Sequence, residues 1–439
     1  MKYLAFSALL LSSLGLHAEE VADPWPALKA SWAKNHLKLA GEMLKADCIG
    51  FADTQAGMAT QLVGAEDAGV QAYEEKRAKM KLPDKGWLEA DWKAYEAKRS
   101  AMHHKEAKEA AALLVKGEPP EAAAVEAWAL RLDPDQPEVR KRRGEVQVPG
   151  MGWLPQETAK NLKAGLVRFG DVWEKPDPGK YVAWDKAYMI PTEHYLFKTT
   201  LPLKTVLENA AALEGLYRIW EEIFEGVTPI WGRKEPPVVW MFKTSAEYQA
   251  CVASEAPGEV EASKNPRIPG FAYVSQAFFF LREDPSVPVR PISYHECTHL
   301  IHNGIVLNNG GDAGLWCAEG MAVLMEPLSK GKVTDWNSSA TGKNTFNVAE
   351  ALSVLDGLPD LFAMERGAFQ SEMGKHYEQS CVLCHFLMYG QGGVHRRDLL
   401  GCVLATQKRE YGGYDAHFRQ MSQKDLCALA KAYAKKAIQ

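Results

Sequence analysis

The residues of this 439-residue chain best suited to chemistry are His295-Glu296-Cys297-Thr298-His299, an H-E-x-x-H inside the apolar, helix-like segment Ile292 to Ile305. On a helix, positions i and i+4 stack on one face, so both imidazoles can reach one divalent ion, and zinc suits two such nitrogens. Zinc lowers the pKa of a bound water to about 7, and Glu296, at the edge of that face, is placed to take the proton and pass it to a leaving amine. The expected chemistry is amide hydrolysis, with Zn2+ as cofactor, His295 and His299 as ligands and Glu296 as general base. A third ligand must come from elsewhere. Glu319 follows His299 by twenty positions, in Leu315-Trp316-Cys317-Ala318-Glu319-Gly320-Met321-Ala322, which reads as the start of a second helix. The turn Asn308-Asn309-Gly310-Gly311-Asp312 lets that helix fold back on the first. Two His and one Glu leave the fourth position open, as a catalytic zinc requires.

This pattern resembles the gluzincin metallopeptidases, the thermolysin and aminopeptidase group, and looks most like the peptidase-MA-like domain of exported bacterial proteins. The resemblance covers roughly residues 190 to 400 through the segments HYLFKTTLP, FKTSAEY, GFAYVSQ, YHECTHLIH, LWCAEGMA and HYEQSCVLCHFL. It implies a zincin-like catalytic domain with ligands His295, His299 and Glu319, with Glu296 as base or acid, and with Tyr377 either stabilising the oxyanion or anchoring its helix. It also implies that the strand Gly270 to Val274 is an exposed edge to which an extended peptide adds. Two departures stand out. Val323 occupies the place, four residues after the Glu ligand, where thermolysin-like enzymes put an Asp that orients a ligand His, so that partner must come from elsewhere. The metzincin pattern fails, because His302 and Ile305 stand where it needs Gly and His. His302 lies one turn further along the histidine face, as a subsite or surface residue, and Cys297 faces away from the metal.

These side chains need a scaffold, and the sequence suggests α+β. From Glu19 to about 180, apolar residues at helical spacing predict a mostly helical region. Within it, Ala124 to Gly144 reads as a helical hairpin like the end of a tetratricopeptide unit. Pro83-x-x-Gly86-Trp87-Leu88 is echoed by Pro149-x-x-Gly152-Trp153-Leu154, both read as turns whose Trp plugs a helix pair. The basic run Arg140 to Arg143 reads as a solvated helix end. The prolines and glycine of Glu174 to Gly179 predict a linker, so the metallopeptidase domain is expected to span 181–439. In it, His194 to Thr199, Pro237 to Phe242, Gly270 to Val274 and Ala277 to Arg282 read as strands of a small mixed sheet, Leu203 to Glu225 as a long helix, and the C-terminal part as a helical bundle.

Hydrophobic residues make up 46% and charged residues 24%, so the chain can bury a core. Acidic residues exceed basic ones, 56 to 51, which leaves no basic excess for phosphates and argues against nucleic acid as a partner. Residues 1–18, with Lys2, the apolar run Leu4 to Leu16 and a terminal Ala18, read as a signal peptide. No later run reaches the ~18 apolar residues of a membrane helix. The mature chain is therefore expected to be exported, periplasmic or secreted, with one or two disulfides at most among its eight cysteines. The expected partner is a peptide or protein substrate, with a second protein partner for the helical region. Two alternatives remain: a non-catalytic binding or scaffold protein with a degenerate zincin domain, and a c-type haem protein through Cys381-x-x-Cys384-His385, which lies inside the apolar helical run Tyr377 to Tyr389.

Overall fold

The computed structural model describes residues 24–438 apart from 82, 84–88, 117–118, 120, 178, 182, 227–235, 266–268, 281–288, 302–313, 331–357, 408–410 and 419–420. The expected signal peptide, most of the first Trp echo, Arg282, the turn at 308–312 and His302 lie outside the described residues.

Six helices come first: α1 (Trp25–Lys45), α2 (Ile49–Val63), α3 (Ala68–Ala78), α4 (Glu89–Lys116), α5 (Ala122–Leu132) and α6 (Pro137–Arg142). Local chemistry sets their ends. The Asp67 carboxylate accepts from the amides of Gly69 and Val70 at the start of α3, and the Gln136 side chain accepts from Val139, with Pro137 at the first turn of α6. Trp25, Trp32, Val125 and Trp128 fill a satellite core between these helices.

From Glu145 the chain turns to strands. β1 (Glu145–Val148) and β2 (Gly152–Pro155) form a hairpin, and α7 (Gln156–Lys163) leads into β3 (Val167–Phe169) and β4 (Val172–Glu174). With β5 (Tyr188–Pro191), β6 (Leu196–Thr199), β7 (Val238–Phe242), β8 (Gly270–Tyr273) and β9 (Gln276–Phe280) these build a seven-stranded sheet in the order β4-β3-β5-β6-β7-β9-β8. The sheet is mixed: β6, β7 and β9 run parallel, and the remaining pairs are antiparallel. Among the described strands, β8 lies at one edge.

The expected linker therefore joins two strands of one sheet, since Arg168 of β3 pairs with Met189 of β5. A division at 180 cuts through that sheet, and in the preceding region the unbroken run of helices ends at Arg142, after which only α7 is helical. Trp153 sits half-buried in β2 rather than plugging a helix pair, and its indole N–H donates to Asp135 at 2.6 Å. Of the basic run at the end of α6, Lys141, Arg142 and Arg143 are exposed as expected, but Arg140 is not. It is buried, pairs with Glu145 and Glu193, and lies over the Trp153 ring, because two carboxylates are on hand to balance its charge.

The other described helices are α8 (Leu203–Ile223), α9 (Ser245–Glu255), α10 (Val260–Ser263), α11 (Val289–Ile301), α12 (Leu315–Met325), α13 (Arg366–Ser371), α14 (Met373–Tyr389), α15 (Arg396–Gln407), α16 (Tyr414–His417) and α17 (Gln423–Ile438). The architecture is α+β, with helices around a mixed sheet. None of the described helices is long and apolar enough to cross a membrane. α11 packs against β8, β9, α8 and α12, and α12 against α14 and α15. One continuous core runs from Leu39 in α1 to Ala434 in α17, while Trp240, Phe242, Tyr248, Phe278 and Phe280 form a separate core. All eight cysteines are buried free thiols.

Candidate metal centre

α11 presents His295 and His299 one above the other, with ring centroids 4.9 Å apart, and α12 brings Glu319 to meet them. Two glycines allow that approach. Gly314, just before α12, has φ 105° and a side chain there would meet Thr406 Oγ1 at 2.7 Å. Gly320, beside the ligand, lets α12 press on α14, since a Cβ would lie 2.5 Å from the Ser380 carbonyl oxygen and 2.6 Å from Cys384 Sγ.

Glu319 Oε2 lies 3.1 Å from His295 Nε2 and 3.2 Å from His299 Nε2, and the two Nε2 atoms are 3.2 Å apart. Tetrahedral zinc with bonds of ~2.0–2.1 Å holds neighbouring ligands ~3.3 Å apart, so the triangle has the right size. Its chemistry fits as well. His295 Nδ1 is 2.9 Å from Glu326 Oε1, and an ionised carboxylate only accepts, so Nδ1 carries the hydrogen and Nε2 turns a lone pair toward the other two ligand atoms. Three electron-rich atoms at this spacing repel unless a cation or protons lie between them. His299 Nδ1 has no hydrogen-bond partner among the described residues.

The electrostatics say the same. Burial opposes a charged His295, but hydrogen bonds to Glu319 and Glu326 outweigh it and raise its pKa well above the ordinary value. Burial likewise opposes a charged Glu319, yet the charge of His299 and hydrogen bonds from both histidines hold its carboxyl far below the usual range. The site is built to hold positive charge.

Two further side chains stand beside the triangle. Glu296 is half-buried and its Oε2 accepts from the Ala272 amide of β8 at 2.8 Å. Burial raises its pKa, against the pull of His295 and His299. The Tyr377 ring of α14 stacks on His295 with centroids 5.6 Å apart. Burial first, and then the charges of Glu319 and Glu296, push its pKa well up. Cys297 turns into the main core.

The structure thus brings together His295, His299, Glu319, Glu296 and Tyr377. What sequence reasoning missed is Glu326, which supplies the partner that Val323 cannot. Its signal was present: seven residues after Glu319 is two helical turns along the same face. Also missed was a second His–carboxylate group, Glu193, His194 and Glu214. There His194 Nδ1 is bound to Glu214 at 2.6 Å and Glu193 to Arg140 and Arg218, so the charges are already balanced as an ion-pair network. At the C-x-x-C-H, Cys381 and Cys384 are fully buried, Cys384 Sγ lies against the Trp316 and Cys317 carbonyls, and His385 Nδ1 bonds Tyr433 at 3.0 Å. A haem there would have to displace the α12–α14 packing that positions Glu319.

No family model, curated protein or solved structure matches the chain.

Proposed function

We propose that the chain is an exported, zinc-dependent peptidase of the gluzincin type, with a zincin-like fold that takes in the sheet from Val167 onward and a peptide or protein as substrate. The observation that carries this reading is the buried triangle of two imidazole nitrogens and one carboxylate oxygen, at zinc spacing, with a non-ligand carboxylate beside it. A structural zinc site has no use for Glu296.

Zinc bound by His295, His299 and Glu319 supplies polarisation of a carbonyl and acidification of water. The chain's own groups do the rest. Glu296 takes and returns a proton; with Oε2 held by the Ala272 amide, Oε1 is left for the water, and burial gives the carboxylate the raised proton affinity that a general base needs. Tyr377 keeps its proton at neutral pH and can donate a hydrogen bond to charge developing on the substrate oxygen. β8 offers its open side to an extended peptide. The Ala272 amide already serves Glu296, so a proline there would disable the base along with the edge. The absence of a G-x-M-E-N segment, through which aminopeptidases hold a free amino terminus, favours an endopeptidase.

Glu296→Gln tests the reading. Hydrolysis of a broad peptide library should fall by about 10²–10⁴-fold, while the zinc content of the purified protein stays that of the wild type. A wild-type protein that carries zinc and cleaves nothing would leave a binding protein in its place.

A further inference from the structure

β8 ends in a turn that its sequence does not suit. Tyr273 pairs with Gln276 of β9, so Val274 and Ser275 form a two-residue hairpin connection. Val274 has φ 55°, in the left-handed region. A hairpin turn with positive φ at its first central position favours glycine there, because a Cβ, above all a branched one, crowds the backbone. The other non-glycine residues with positive φ among the described residues are Asp47 and Gln391, which leaves Val274 as the β-branched case. The turn is held from outside and cannot relax: the Ser275 carbonyl accepts from the Val238 amide of β7 at 3.0 Å, and the Gln276 side chain accepts from the Trp240 indole at 2.6 Å. Burial does not offset the strain either. The Val274 side chain is 49% exposed, one of four large apolar side chains left exposed among the described residues.

The place of this valine along β8 gives it a use. The Ala272 amide is bonded to Glu296, so the peptide groups at Ala272 face away from β9, on the open side of the strand. A peptide extended along that side advances ~3.3 Å per residue, and Val274 lies two residues past Ala272. We propose that Val274 sets specificity: it meets an aliphatic or aromatic side chain of the substrate about two positions from the scissile bond, at that rise per residue, so that the protein cleaves extended peptides with an apolar residue there. This rests on the peptidase reading and narrows its substrate. Backbone strain of this kind persists where function needs it. Glycine, which the turn favours, would offer a substrate no side chain, whereas the exposed valine offers an apolar surface that leaves water only when a substrate covers it.

The test compares Val274→Gly and Val274→Thr with wild type in the full-length, zinc-loaded protein, by thermal midpoint, zinc content and kcat/KM across a peptide library. Val274→Gly relieves the turn and should raise the midpoint by about 1–3 °C. Val274→Thr keeps the branched shape and the strain and adds a hydroxyl, so its midpoint should stay at that of the wild type. Both should retain zinc, and both should cut the preference for an apolar residue over glycine by about tenfold at that one substrate position, leaving the preferences at other positions unaltered. A wild-type protein that cleaves peptides without an apolar preference there, or a preference that survives Val274→Gly, would overturn the proposal and leave the peptidase reading standing. A lower midpoint for Val274→Gly would overturn it too, by showing that the valine is kept for stability. Zinc-loaded wild type that cleaves no peptide removes the peptidase reading, and the proposal with it.

Discussion

Removing Glu326 should weaken zinc binding without touching a ligand. The carboxylate accepts from His295 Nδ1 at 2.9 Å, which fixes the tautomer that turns Nε2 toward the other ligands and makes that nitrogen a better donor. A hydrogen bond to a charged group is worth about 1.5–3 kcal/mol. The Glu326 side chain is 34% exposed, so water shares its charge and the lower part of that range applies. About 1.5–2 kcal/mol corresponds to a ~10–30-fold weaker dissociation constant for Glu326→Ala. Glu326→Gln keeps an acceptor oxygen and loses the charge, so its effect should be smaller. The measurement is a competition titration of metal-free protein against a chromophoric chelator near neutral pH, with the thermal midpoint as a control for folding. Binding by a folded Glu326→Ala within twofold of wild type would refute the argument, because His295 would then need no orienting partner.

Other outcomes follow from the same geometry. Tyr377→Phe keeps the ring stacked on His295 and removes only the hydroxyl; it should lower kcat by about 10–100-fold with zinc content unchanged if the hydroxyl meets the reacting oxygen, and an unaltered kcat would assign the residue to anchoring. Gly320→Ala places a Cβ 2.5 Å from the Ser380 carbonyl oxygen and should cost about 1–3 kcal/mol in chemical denaturation and loosen zinc binding; a variant as stable as wild type would show that α12 can move freely. Burial raises the Glu222 pKa from 4.5 to about 7 against the pull of Arg99 at 3.3 Å. Because the folded value is the higher, this contribution to stability is complete below pH 4.5 and is lost as pH climbs through 7. With 27% of the side chain exposed, about 2 kcal/mol is at stake. Unfolding free energies between pH 5 and pH 8 should therefore fall more steeply for wild type than for Glu222→Gln, and parallel curves would rule the group out.

The site was largely legible in the sequence because each feature is local. The i, i+4 spacing of His295 and His299 survives any tertiary context that keeps the helix, and Glu319 opens the next strongly apolar helical segment. α8 was legible because its helical periodicity is sustained over 21 residues, and β7 because its five residues are all apolar. Glu326 escaped notice because its role is defined by which atom of His295 it reaches, although its seven-residue spacing was open to view. The strands from Glu145 to Glu174 were hidden because each is three or four residues long and half polar, so their pairing supplies what their composition does not. Arg140 misled for a related reason: its partner Glu193 lies 53 positions away, and a charged residue bound over that distance looks the same in sequence as one left in water.

The strands supplied from before residue 180 bear on how this protein can be handled. A fragment beginning at 181 would lack the β3–β4 hairpin and leave the backbone amides and carbonyls along Tyr188–Pro191 bare, an adhesive border ready to recruit the same border of another copy. Such a fragment belongs among insoluble products however sound its metal site. A truncation just ahead of the β1–β2 hairpin would cover that border but strip Leu39, Ile49, Phe51 and Tyr95 out of the continuous core, so the helices before Glu145 belong in any form meant to fold.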